Sequence, residues 1–254
     1  MMKYFFPHVT ALCAVFLMMC CIPFAHADVP VLMYHRVNAD LPPSATVVSP
    51  VVFDQHMRIL RNAGYKTTTV GELGKRISEK KLKNEKLVVI TFDDGWRDSL
   101  AAVDIMKRYG FSGTYYVMSN TFNNPVYMSM EDVKTLAKSD NEVGAHSHTH
   151  FMDYTSDLSK IPLTVMVGEA LLSRAIIEDV INKPVISFAW PFGVYTEAAV
   201  SMINKGGFTT SVMVNPDSLN NNSSDPMRLR RLTVDGNFSA ETVLQMVTSG
   251  KAPK

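Results

Sequence analysis

Between residues 28 and 254, short apolar runs alternate with longer stretches whose apolar positions fall three and four apart. The short runs predict strands at 31–35, 65–69, 87–92, 112–118, 142–146, 185–190, 208–214 and 229–234. Their β-branched and aromatic content and their length suit half- or fully buried strands. The longer stretches predict helices. Ser49 can cap one, with Pro50 in its first position and Phe53, Met57 and Leu60 as its apolar stripe. Ser129 and Asp132 have the spacing of a capping box, opening a helix that runs to about Lys138. Thr196 can cap 197–205, which Gly206-Gly207 ends. Strand–helix alternation of this kind predicts an α/β fold with a parallel sheet covered by helices, either open or closed into a barrel. There is no internal repeat, and the polar stretch 215–226 reads as a surface loop.

The first 27 residues follow another pattern. Lys3 precedes an apolar run from Ala11 to Met19, and Ala25-His26-Ala27 has the small–x–small form of a cleavage site. The run is too short for a membrane span. The expectation is a signal peptide over 1–27, a single domain over 28–254, and export to the periplasm or the medium, with no integral membrane span once the signal is removed. Lipid attachment at Cys20 or Cys21 competes with this reading, although Met19 is bulky where a small residue is expected. Cys13, Cys20 and Cys21 are the only cysteines, so the domain after them has no disulfide, no thiol nucleophile and no cysteine metal site. Lys3 is also the only Lys, Arg, Asp or Glu in the leader, which leaves 24 Lys and Arg against 24 Asp and Glu. A balanced domain carries no electrostatic signature of nucleic-acid or membrane binding, and a neutral polymer or small molecule fits better. The protein is expected to be a monomer.

The unusual polar residues fall where predicted strands stop. Asp93-Asp94 follows 87–92, His146-Ser147-His148-Thr149-His150 follows 142–145, Trp190-Pro191-Phe192-Gly193 follows 185–189, and His35 ends the first strand. Parallel α/β folds collect catalytic groups at the C-terminal ends of their strands. Adjacent buried carboxylates repel, so Asp93 and Asp94 together call for a cation. A metal held by one would leave the other as a base; the bland alternative is an exposed turn with a helix cap. Imidazoles are common ligands for zinc-like ions, and three histidines stand within five positions. In an extended segment His146 and His148 share a face, whereas in a helical turn His146 and His150 do. One Asp, two His and open coordination positions suit a hydrolytic or oxygenase metal site.

Thr91-Phe92-Asp93-Asp94-Gly95 followed by His146-Ser147-x-x-His150 resembles the signature of the polysaccharide deacetylases, the carbohydrate esterase family with the Nod-factor deacetylase homology domain. The resemblance extends to Val31-Leu32-Met33-Tyr34-His35 and Phe188-Ala189-Trp190-Pro191-Phe192-Gly193. It implies a distorted (β/α) barrel of about seven units in a single domain. It also implies an enzyme that hydrolyses the amide of N-acetyl groups on a polysaccharide. Asp93 is then the catalytic base, and Asp94, His146 and His150 hold a divalent metal ion, Zn2+ first and Co2+, Ni2+ or Fe2+ as alternatives. The Phe192 N–H helps to hold the oxyanion, and Trp190 and Phe192 are candidates to stack on a sugar ring.

Two departures stand out. Family members often carry an Arg where this chain has Ala189, and the Ala form resembles the poly-N-acetylglucosamine deacetylases of biofilm matrices. That subgroup often has an Arg-apolar-x-apolar strand, matched by Arg231-Leu232-Thr233-Val234, so Arg231 is a candidate for the missing cation. Its competitor is an ordinary surface strand in a basic cluster with Arg228 and Arg230. The family's late catalytic-acid His is also absent, since no His follows His150. His35 is the candidate substitute, against a purely structural histidine. His56 reads as structural. Peptidoglycan, chitin oligomers and an acetylated xylan are rival substrates, and a carbohydrate-binding pseudoenzyme is the rival of a different class.

Overall fold

The computed structural model describes residues 28–151, 160–214 and 219–253, so the expected signal segment and its cysteines lie outside the described residues. The sheet is built from β1 (Val31–Tyr34), β4 (Lys66–Thr68), β5 (Leu87–Phe92), β6 (Thr114–Val117), β7 (Glu142–Ala145), β8 (Ser187–Ala189), β9 (Thr210–Val214) and β10 (Leu229–Thr233). These are the predicted strands, trimmed by one or two residues at an end in most cases. Two strands of two residues each, β2 (Arg36–Val37) and β3 (Val47–Val48), pair only with each other. They are too short to show a period in the sequence.

The sheet runs β1-β10-β9-β8-β7-β6-β5, and β1 then returns to β5 with Val31 opposite Val89 and Tyr34 opposite Phe92. All pairs are parallel, so the result is a closed seven-stranded barrel. Closure decides between the open sheet and the barrel. The eighth strand, β4, pairs with Leu87–Val89, while β6 pairs with Thr91–Phe92 further along the same edge of β5. That sharing of one edge is the distortion of the barrel.

The helices α1 (Pro50–Asn62), α2 (Val70–Ser78), α3 (Ala101–Arg108), α4 (Met130–Ala137), α5 (Leu163–Ile181), α6 (Glu197–Lys205) and α7 (Ala240–Ser249) surround it. Their starts have local causes. Ser49 accepts the Val52 N–H, Ser129 and Asp132 bond each other reciprocally, and Thr196 accepts the Ala199 N–H. β5 is buried at all six positions because the barrel lumen takes one face and helices take the other. Parallel strands also send every C-terminal end to one mouth, where Tyr34, Phe92, Ala145 and Ala189 finish.

Of the polar stretch read as a surface loop, residues 215–218 lie outside the described residues, and one described residue of 219–226 is buried. Asn220 is buried: its carbonyl accepts the Val29 N–H at 2.7 Å, and its side chain bonds both the N–H and the carbonyl of Arg230 at 3.0 Å. An amide offers both donor and acceptor, so one side chain satisfies an otherwise unpaired strand edge.

His56 lies fully buried on α1. Its Nε2 donates to the Phe238 carbonyl at 2.8 Å, which leaves Nδ1 to accept from the Tyr34 hydroxyl at 3.2 Å. Burial pushes its pKa below the ordinary 6.5. The folded state therefore binds fewer protons than the unfolded state near that pH. The stability this neutral ring contributes is present above about pH 6.5 and is lost as pH falls towards the lower folded value. The melting temperature should fall more between about pH 7.5 and about pH 5 in the native protein than in His56→Gln. An equal fall in both would exclude His56 as the source.

Candidate active site

At the barrel mouth, Asp94 follows β5 with φ 70°, and the chain after β7 turns through left-handed conformations at Ser147 (φ 64°), His150 (φ 62°) and Phe151 (φ 58°). Left-handed non-glycine residues cost energy and persist only where surrounding bonds enforce them. Here Ser147 Oγ accepts the His150 N–H at 2.7 Å. The buried carboxylate of Glu169, on α5, accepts the N–H groups of His148 and Thr149 at 2.9 and 2.6 Å. The loop is thus curled around an anion supplied by a distant helix. Glu169 was not singled out in the sequence; its only signal is an acid within the apolar first half of a helix.

This curl decides which histidines converge. Asp94 Oδ1 lies 3.3 Å from His146 Nε2 and 3.4 Å from His150 Nε2. One ligand atom from each of the three residues falls within 4.8 Å of the others. His148 turns elsewhere, its Nδ1 bonded to Ser119 Oγ at 2.7 Å.

The three residues fit a divalent cation by their chemistry as well as their position. His146 Nδ1 donates to the Ala189 carbonyl at 2.8 Å, so in the neutral ring the lone pair is on Nε2, the nitrogen on the Asp94 side. That is the tautomer a ligating imidazole needs. Burial, then the neighbouring His146, push His150 down to about 4, which keeps its ring neutral. Burial pushes the Asp94 carboxyl up, but the bond to His146 and the charge on that ring outweigh it and hold the group well below its usual range. Burial also lowers His146, yet the Asp93 and Asp94 carboxylates overcome it, so the ring attracts positive charge. Two nitrogens and one oxygen with open positions form a zinc-type donor set.

Asp93 is outside this triad, with its Oδ2 4.0 Å from His146 Nε2 against 3.3 Å for Asp94 Oδ1. Arg231 on β10 forks onto Asp93, with Nη1 and Nη2 donating to the two carboxylate oxygens at 2.6 and 2.7 Å. Nη1 also donates to Thr91 Oγ1 at 3.1 Å, and the guanidinium lies 5.7 Å from the centre of the Tyr116 ring. Arg231 is 0% exposed, so it is no surface residue. Its neighbour Arg230 is exposed, as alternation along a strand requires, and Arg228 pairs with Glu197 and Asp225. Burial pushes Asp93 up, but Arg231 and then His146 bring its pKa below the ordinary value.

His35 follows β1 and is half-buried. Its Nδ1 is buried without a hydrogen-bond partner among the described residues. Phe192 has φ 56°, its ring meets His150 edge-on at 4.4 Å, and it is 54% exposed. The Phe192 N–H has no acceptor among the described residues. Trp190 corrects an expectation: it is 0% exposed, with its indole N–H on Ser211 Oγ at 3.1 Å, so it belongs to the core and cannot stack on a sugar. Phe192 remains available.

Beside the triad opens a cleft of about 470 Å³, lined among others by Asp94, Trp96, Asn120, Tyr127, His150 and Phe192. Aromatic and amide walls without a lysine or arginine suit a neutral, hydroxyl-rich ligand. Trp96 is a second residue the sequence did not mark. Its indole N–H reaches Asp94 Oδ2 at 2.9 Å.

Comparison with known proteins adds the following. The profile described as polysaccharide deacetylase matches residues 80–211. YxkH of Bacillus subtilis, which is named for a polysaccharide deacetylase, is 25% identical over 191 residues, covering 75% of this chain and 66% of that protein. A peptidoglycan-N-acetylglucosamine deacetylase of Bacillus cereus is 23% identical over 129 residues, covering 50% of this chain and 56% of the relative. The chain thus spans less than two thirds of the length of these curated relatives. Among solved structures, the Streptococcus pyogenes deacetylase PplD, in complex with acetate, superposes with a TM-score of 0.76 at 22% identity, covering 87% of this chain and 99% of that one. Such a likeness shows a shared fold.

Proposed function

The chain belongs to the polysaccharide deacetylase family, and we propose that it removes N-acetyl groups from an N-acetylglucosamine-containing polysaccharide outside the cytoplasm. Asp94, His146 and His150 would hold a divalent ion, Zn2+ by their donor set. The observation that carries the reading is the division between two neighbouring carboxylates. Asp94 faces two imidazoles, while Asp93 is buried, ionised and paired with its own cation.

A bound ion of this kind acidifies water and polarises a carbonyl oxygen. The rest falls to the side chains. Asp93 takes the proton from the attacking water, and Arg231 keeps it ionised and its oxygens aimed. The Phe192 N–H donates to the oxyanion formed when that water adds to the acetyl carbon; one such donor is typically worth about 3 kcal/mol. His35 gives a proton to the departing amine, since an amide nitrogen leaves poorly without one. The products are the free amine and acetate.

Poly-N-acetylglucosamine is the favoured polymer, because Ala189 together with Arg231 resembles the biofilm-matrix subgroup. Peptidoglycan is the second reading, favoured by the name of the Bacillus cereus relative. Export rests on the pattern of residues 1–27.

Acetate release should be measured on β-1,6-linked N-acetylglucosamine oligomers, chitin oligomers and peptidoglycan, with metal content determined alongside. The expected result is release from the first, lost with a chelator and restored by Zn2+. Asp94→Ala should lose the metal and the activity together. A metal-loaded protein that releases acetate from none of the three would overturn the proposal.

A further inference from the structure

We propose that Trp96 is a positioning residue for the metal site: its indole N–H captures one oxygen of Asp94 and so fixes which oxygen faces the histidines. This rests on the metal reading above and goes beyond it.

A carboxylate on a single-bonded stem can present either oxygen, both, or neither to a neighbouring ion. In this site the two oxygens have different partners. Oδ1 faces His146 Nε2 and His150 Nε2 at 3.3 and 3.4 Å, while Oδ2 accepts the Trp96 N–H at 2.9 Å. The indole nitrogen is a donor only, so it can neither compete as a ligand nor change its charge with pH. It therefore orders the carboxylate without adding a positive charge beside the ion.

The backbone explains how a residue two positions on can reach back. Asp94 and Gly95 are consecutive left-handed residues, with φ 70° and 69°, which reverse the chain over a very short span. A Cβ at Gly95 would lie 3.2 Å from Val117, so that turn also needs the missing side chain. The indole is then held on all scales. Tyr127 stacks on it at 4.5 Å and 24°, and the two residues pair as an isolated antiparallel bridge. The Arg36 guanidinium lies over the ring at 4.3 Å and is itself fixed by Asp98, which also accepts from Asn38. A role in packing alone would be served by any aromatic ring. The specific feature is an N–H aimed at a metal-ligating oxygen, and partners of this outer kind typically change metal affinity by about 10- to 100-fold.

The test is Trp96→Phe, which keeps a ring for Tyr127 and Arg36 and removes the donor together with part of the indole's bulk. Zn2+ should be titrated calorimetrically into the metal-free native and variant proteins, with melting of the metal-free proteins as the control for folding. The Co2+-loaded forms should be compared by visible absorption. The expected result is a Kd weaker by about 10- to 100-fold, a changed Co2+ spectrum and an unchanged metal-free melt. Equal affinity with an identical Co2+ spectrum overturns the positioning role. Failure of the native protein to take up one Zn2+ overturns the metal reading instead. Should the variant not fold, the native protein decides the matter, because it has only two tryptophans. On adding Zn2+ the indole N–H NMR signal of Trp96 should move more than that of Trp190, which is bonded to Ser211. A Trp96 signal that stays in place rejects the proposal.

Discussion

Asp93→Asn is expected to retain the metal while turnover falls by about 100-fold or more. Its carboxylate lies outside the Asp94–His146–His150 triad and is engaged by Arg231, so its loss removes a proton acceptor and no ligand. The same pairing makes Arg231 a residue of stability. Arg231→Met leaves Asp93 buried without its cation, and breaking a buried pair from one side typically costs about 3–5 kcal/mol. In the Asp93→Asn background the same change should cost much less, because no unpaired charge is left behind. The difference between the two costs is the coupling of the pair. Denaturant unfolding of the four proteins, with their zinc content, gives both quantities. Zinc loss from Asp93→Asn as complete as from Asp94→Ala would mean that both aspartates are ligands.

His35→Ala is expected to slow amide hydrolysis by about 10²- to 10⁴-fold with metal affinity unchanged. The ring sits at the barrel mouth, directly after the end of β1. Its Nδ1 is one of nine buried side-chain polar atoms without a partner among the described residues, and the one that belongs to a histidine. A purely structural histidine would resemble His56, whose two nitrogens are both bonded. An activated aryl ester separates acid catalysis from damage to the fold, because an aryloxide leaves without a proton. Ester hydrolysis should therefore suffer far less than amide hydrolysis. Equal losses on the two substrates would reject His35 as the acid.

Every strand of the barrel could be placed from the chain alone, because each needs only a short apolar run between polar turns, and burial on both faces makes such runs conspicuous. The helix starts at Ser49, Ser129 and Thr196 were equally accessible, since a cap is a contact between residues three positions apart. Asp93, Asp94 and the histidine cluster stood out because they sit directly after those runs. Barrel closure did not, because it depends on β1 meeting β5 with the whole length of β4 and two helices between them.

Around the site the boundary is the same. Whether His148 or His150 joins His146 depends on left-handed turns enforced by Glu169 from a separate helix. Alternation along β10 puts Arg230 and Arg231 on opposite faces, but only the curvature of the closed sheet says which face is the lumen. Trp190 and Phe192 are equally aromatic in the chain; one left-handed residue sends the second outward and leaves the first in the core. Local periodicity, capping and strand ends are properties of neighbouring residues, so the chain alone determined the elements and the chemistry gathered at their ends. Side-chain direction, ion pairing and ligand choice are set by burial among residues distant in sequence, and these were decided only when the barrel closed.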